Sequence, residues 1–263
     1  MQTITAGDGC PIHISMEGPN DAPVLIMSHP LGADLTIWER QIEPLSKHFR
    51  LLRYDSRGHG QSGTHSSPYR MARLGQDVLD VMDTLKLENA DWCGVSLGGM
   101  VGQWLGANAP HRFRRMIFSN TSSYYPDKTP WDDRINAVKT SGTNAVVNAI
   151  PLRWFTPEFV EQSPNVVKSL QDVTLSMSAE GYIGCCIAIK AMDHRDLLRH
   201  ISASVLVIAG NQDVATPLAH SEYIYNHITH AKLVVLEAGH ISNLERAAEF
   251  SENVIKFLRH IES

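Results

Sequence analysis

Cysteine is scarce in this 263-residue chain, and the four present (Cys10, Cys93, Cys185, Cys186) make neither a metal-ligand spacing nor a disulfide framework. That points to a reducing compartment, the cytoplasm, with the adjacent Cys185 and Cys186 facing a core from a helix. Runs of Lys and Arg are absent and the formal net charge is -5, which argues against a nucleic-acid partner. No apolar stretch approaches the roughly eighteen residues a membrane helix needs, so no membrane partner is expected. The first fifteen residues, MQTITAGDGCPIHIS, have no basic start and no apolar block, and so predict no secretory signal. Repeats and low-complexity segments are missing as well. No His and carboxylate cluster has metal spacing; His227 and His230 read as solvent-facing residues at a helix end, and neither metal nor cofactor is expected.

What is present is an ordinary globular composition, 43% hydrophobic and 19% charged, at a length that suits one core with an insertion. Gln2–Thr5 and Ile12–Glu17 read as two strands around the turn Gly7-Asp8-Gly9. Val24–Met27 is an apolar run typical of a strand buried on both faces. A helix from about Leu35 to Leu45, the strand Arg50–Tyr54 and a polar loop over 55–70 follow. Leu74, Val78, Val81, Met82 and Leu85 share one helical stripe. The strand Ala90–Cys93, a helix running to Pro110 and the strand Met116–Phe118 continue the rhythm. This alternation predicts an α/β fold, a mostly parallel eight-stranded sheet with helices on both faces.

At Thr121 the rhythm breaks. Up to about Leu198 there is no buried-strand pattern, and Thr129-Pro130, Thr156-Pro157 and Ser163-Pro164 each set a capping hydroxyl before a Pro suited to a first helical turn. Residues 121–198 are therefore expected to be an inserted helical lid, with 1–120 and 199–263 forming the sheet core. The alternation resumes with Val205–Ile208, a helix from about Leu218, the strand Leu233–Leu236, and a last helix with Phe250, Val254, Phe257, Leu258 and Ile261 on one face.

Cys93-Gly94-Val95-Ser96-Leu97-Gly98-Gly99 fits Gly-x-Ser-x-Gly at a strand-to-helix turn. Such a turn strains its central residue and tolerates no bulk on either side, which lifts the Ser96 hydroxyl above the sheet edge. A serine hydroxyl needs a base to take its proton and a carboxylate to orient that base. In a parallel sheet these groups gather in loops past the carboxyl ends of strands. The strand after the nucleophile ends Ser119-Asn120 and offers no acid. The next offers Asp213, which could alternatively cap the following helix, and the last offers His240. The order Ser96, Asp213, His240 is that of an α/β-hydrolase triad. Two backbone N–H groups should hold the oxyanion. Leu97 is one candidate, and Leu31 is the other because Pro30 has no N–H.

Residues 53–62, Arg-Tyr-Asp-Ser-Arg-Gly-His-Gly-Gln-Ser, together with Gly94–Gly99 resemble the α/β-hydrolase superfamily. That resemblance makes the Asp55–Ser62 loop a structural element near the oxyanion loop and gives His59 no catalytic role. Within it, Met100–Trp104, Ser119–Ser122, Arg153–Pro157, Gly181–Cys186, Asp213–Pro217 and His240–Asn243 resemble the 3-oxoadipate enol-lactonases. The resemblance departs at Pro30, where the wider superfamily often has Gly. It implies hydrolysis of 3-oxoadipate enol-lactone to 3-oxoadipate, without a cofactor, in bacterial breakdown of catechol and protocatechuate. That lactone is a small anion, so the acidic chain must supply local donors, and Trp131, Arg134, Arg153 and Trp154 are the lid candidates. Other hydrolases on the same frame stay open: a carboxylesterase, a carbon–carbon bond hydrolase or a cofactor-free perhydrolase. So does a non-catalytic receptor for a small ligand, against which the complete Ser96, Asp213, His240 set argues. A dehalogenase, which needs a carboxylate at the nucleophile position, does not fit Ser96.

Overall fold

The computed structural model describes residues 2–65 and 68–259. One sheet holds β1 (Gln2–Thr5), β2 (Pro11–Glu17), β3 (Val24–Ser28), β4 (Arg50–Tyr54), β5 (Ala90–Val95), β6 (Phe113–Ser119), β7 (Ser204–Gly210) and β8 (Lys232–Leu236). Their spatial order is β1-β2-β4-β3-β5-β6-β7-β8. The β1–β2 and β2–β4 pairs are antiparallel and all later pairs are parallel. Apolar runs without polar alternation make the central strands, because both faces are covered. Successive side chains point to opposite faces: Leu25, Met27, Cys93, Val95, Ile117 and Ile208 enter one core, and Ile26, Trp92, Met116, Phe118 and Val207 the other.

Helix α1 (Glu39–Ser46) closes the first of these cores; α2 (Met71–Thr84) and α3 (Leu97–Asn108) close the second. The helix expected from Leu35 divides in two. Asp34 Oδ1 accepts from Thr36 N at 2.9 Å and starts a 3-10 turn over Leu35–Trp38, and α1 follows at Glu39. The stripe expected on α2 is buried at Leu74, Val78, Val81 and Met82.

Among the described residues no strand lies between β6 and β7. The segment holds α4 (Thr129–Ser141), α5 (Asn144–Val147), α6 (Ile150–Trp154), α7 (Pro157–Gln162), α8 (Pro164–Ser176) and α9 (Ala179–Ala191). Of the three capping hydroxyls expected here, Thr156 alone caps, accepting from Phe159 N at 3.3 Å. Thr129 lies inside α4, where Asp127 accepts its N–H, and Ser163 makes no cap bond because its backbone is not extended (ψ 49°). After β7 come α10 (Leu218–His227), α11 (Ser242–Glu245) and α12 (Ala247–Arg259). Phe250, Val254, Phe257 and Leu258 of α12 are buried as expected; Ile261 lies outside the described residues. All four cysteines are buried and unpaired, and His227 and His230 are exposed. No helix among the described residues is long and apolar enough to cross a membrane.

Candidate active site

Ser96 sits between β5 and α3 with φ 54° and ψ -112°, a conformation that only a supported turn holds in a residue with a side chain. The support is specific. Ser96 N donates to Ser119 O at 2.9 Å, and the Ser96 carbonyl accepts from Met100 N at 3.0 Å and from Thr121 Oγ1 at 2.7 Å. The flanking glycines answer to close approach and not to a positive φ. A Cβ on Gly94 would lie 2.3 Å from the Gly98 backbone, and one on Gly98 would lie 2.3 Å from Ser28 O.

His240 and Asp213 arrive on the loops after β8 and β7. His240 Nδ1 is 2.8 Å from Asp213 Oδ2, and both side chains are buried. With Nδ1 committed to the carboxylate, Nε2 is the nitrogen free to accept a proton. Asp213 also makes the turn that could have been its whole role, since Oδ1 accepts from Ala215 N and Thr216 N at 2.8 Å each. Oδ2 further accepts from Thr216 Oγ1 at 2.7 Å and Asn120 Nδ2 at 3.1 Å. Burial alone would raise this carboxyl's pKa. The imidazole beside it and the donors around it outweigh burial and bring it from 3.8 down to about 2.

Ser96 and His240 line one cavity of about 500 Å3, together with Leu31, Gly32 and Thr216 on the core side. Among the described residues the N–H groups of Leu31 and Leu97 donate to nothing, whereas Gly32 N donates to His59 Nε2 at 3.2 Å. Leu97 itself is fully buried. Burial, with His29 beside it, drops the His59 pKa to about 3, so His59 is a neutral acceptor that fixes the loop carrying Leu31. Gly32 has φ 89°, and Trp154 and Tyr182 close to within 3.4 and 3.5 Å of where its Cβ would stand.

The lid side of the cavity contains all four expected residues, Trp131, Arg134, Arg153 and Trp154. The Arg134 guanidinium stacks 4.9 Å over the Trp131 ring, which meets Tyr125 edge-on at 5.3 Å. Neither Arg134 nor Arg153 forms an ion pair with a described carboxylate, although both face a cavity in a net-acidic chain. Packing around Arg153, reinforced by the charge of Arg134, lowers the Arg153 pKa below that of a free guanidinium. Asp127 and Asp133 line the same cavity, but neither forms an ion pair with Arg134 or Arg153. Among the described residues no group of three or more His, Cys, Asp or Glu is placed to hold a metal ion.

A family profile described as the alpha/beta hydrolase fold matches residues 23–247. The chain belongs to the α/β-hydrolase family. This α/β-hydrolase is 40% identical over 252 residues to 3-oxoadipate enol-lactonase 2 of Acinetobacter baylyi, covering 96% of this chain and 94% of that one. It is 32% identical over 259 residues to 3-oxoadipate enol-lactonase 1 of the same organism, covering 98% and 97%. Its fold superimposes on the solved enol-lactonase of Burkholderia xenovorans LB400 with a TM-score of 0.96 at 38% identity, covering 98% of this chain and 100% of that one.

Residue type and spacing assign no role to three side chains of this α/β-hydrolase site. Asn120, at φ 46°, donates through Nδ2 to Asp213 Oδ2 and Gly239 O at 3.1 Å each. Its Oδ1 accepts from Ser119 Oγ and Ser242 Oγ, so it joins the loops of Asp213 and His240. Its strand end carries no acid, and the Ser119–Ser122 block is its one local signal. Tyr125 and Tyr182 line the cavity, and burial raises both hydroxyl pKa values. Tyr182 stands in the Gly181–Cys186 block, its one signal in the sequence.

Proposed function

We propose that this hydrolase opens 3-oxoadipate enol-lactone with water to give 3-oxoadipate, through an acyl-enzyme on Ser96. The observation that carries the reading is one cavity lined by Ser96, by His240 in its bond to Asp213, and by two arginines that form no ion pair with a described carboxylate. The similarity to enol-lactonases over nearly the whole chain supports the choice of lactone.

His240 Nε2 takes the proton of Ser96 as its Oγ attacks the lactone carbonyl, and Asp213 holds the imidazole in the required tautomer. The Leu31 and Leu97 N–H groups receive the oxyanion, each worth roughly 3 kcal/mol of transition-state stabilisation. Collapse breaks the ring C–O bond and expels an enolate, a weaker base than an alkoxide, so proton return from His240 is undemanding. The enol becomes a ketone, which disfavours reclosure. Water deprotonated by His240 then releases the acyl group. Arg134 and Arg153 hold the carboxylate of the substrate, with Trp131 and Trp154 walling the ring. No step calls for a cofactor, and the composition fits a cytoplasmic enzyme.

Loss of the lactone's ultraviolet absorbance on adding enzyme tests the reading. Turnover well above that of phenyl acetate is expected, together with labelling of Ser96 by a fluorophosphonate. Turnover no faster than phenyl acetate makes the protein a general carboxylesterase, and an unlabelled Ser96 makes it a binding protein.

A further inference from the structure

Glu245, the last residue of α11, lies five positions past His240 and has no part in the chemistry above. Its carboxylate is half-buried between two segments that the chain brings together from far apart. Oε1 accepts from Thr156 N at 2.9 Å and from Gly239 N at 3.2 Å, and Oε2 accepts from Thr156 Oγ1 at 3.0 Å. Beside it, Ile241 N donates to Trp154 O at 3.0 Å. The end of α6, which carries Arg153 and Trp154 into the cavity, is thus bonded on both sides of His240. The fit leaves no slack: a Cβ on Gly239 would lie 2.9 Å from Glu245 Oε1 and 3.0 Å from Trp154 O.

We propose that Glu245 is a positioning residue that locks the anion-holding end of the lid to the loop of the base. Arg153 and His240 act on opposite ends of one small substrate, and an error of about an ångström in their separation can cost up to about a hundredfold in rate. A joint at this point fixes that separation without touching the substrate. The joint uses Glu245 as an acceptor. A glutamine oxygen can take the place of Oε1 toward both N–H groups, and its amide can face the Thr156 hydroxyl, which rotates to accept. The negative charge is therefore dispensable and the geometry is not. Burial raises the pKa of this carboxyl above its ordinary value, and the donors from Thr156 and Gly239 oppose that shift.

This inference rests on the lactonase reading, and the experiment separates the two. Wild type, Glu245→Ala and Glu245→Gln are titrated for reactive Ser96 with a fluorophosphonate, then assayed on the enol-lactone and on phenyl acetate per titrated site. Hydrogen exchange is followed over 150–156 and 239–241. The alanine variant should show faster exchange in both segments. It should also show a KM for the lactone raised by about tenfold, with the phenyl acetate rate within about threefold of wild type. The glutamine variant should restore the lactone KM to within about threefold of wild type. Equal losses on the two substrates per titrated site, or exchange unchanged in either segment, overturns the positioning role, as does a glutamine variant as defective as alanine. A wild type that does not open the lactone overturns the lactonase reading instead, and the exchange data still decide whether Glu245 joins lid and loop.

Discussion

Asp213 receives five hydrogen-bond donors on two oxygens, and one of them is the imidazole of His240. An Asn at 213 would keep the shape but lose the charge and favour the wrong imidazole tautomer, so Asp213→Asn should lower kcat on the lactone by about 10^4-fold. The same carboxylate carries a pH signature. Its folded pKa, about 2, lies below its ordinary 3.8. Its contribution is therefore complete above about pH 4 and is lost as pH falls through 2, on the order of 2 kcal/mol in all. Urea unfolding of wild type and Asp213→Asn should show a stability gap at pH 5 that narrows toward pH 2; a gap that widens on acidification would contradict the assignment. Arg134 and Arg153 are read by substrate charge. Replacing either with Ala should weaken the anionic lactone by roughly tenfold to a hundredfold and leave phenyl acetate nearly unchanged, as judged by kcat/KM on both.

At the scale of elements, the elbow is a close packing of backbones. Gly98→Ala would drive a methyl into Ser28 O, backbone of the neighbouring β3, which has no rotamer with which to yield. The expected cost is about 1–3 kcal/mol of stability with loss of fluorophosphonate labelling at Ser96, read by melting and intact mass. The motif that marks this turn was legible because Gly-x-Ser-x-Gly between apolar strand and helix patterns records the steric demand in residue type. The loops bearing Asp213 and His240 were legible for a different reason, their place after successive apolar strand runs, where a parallel sheet gathers polar groups. Asn120 and Glu245 were not, because their roles come from partners 93 and 89 residues away, at Asp213 and Thr156, and no local spacing records such a contact. The caps misread at Thr129 and Ser163 have a related cause. Whether a hydroxyl caps depends on ψ, and ψ is set by how the neighbouring turn packs and not by the residue pair.

The molecule as a whole sets a tension between net charge and site charge. The chain is net acidic, yet its cavity presents Arg134 and Arg153, neither in an ion pair with a described carboxylate, alongside Ser96 and His240. The sheet holds Asp213, His240 and Ser96 on three separate connections, and helices α4 and α6 carry the arginines to the same cavity. The mostly parallel sheet was readable from alternating apolar runs, whereas its strand order and the shape of the cavity were not, since they depend on how distant elements pack. The central claim is that this arrangement recognises a lactone by its carboxylate and attacks it with Ser96. The direct test is a matched pair, the enol-lactone and its methyl ester, compared by kcat/KM for ring opening with wild-type enzyme. The free acid should be opened roughly tenfold to a hundredfold faster, the difference that one charge-assisted pair supplies, and equal rates for the two would contradict it.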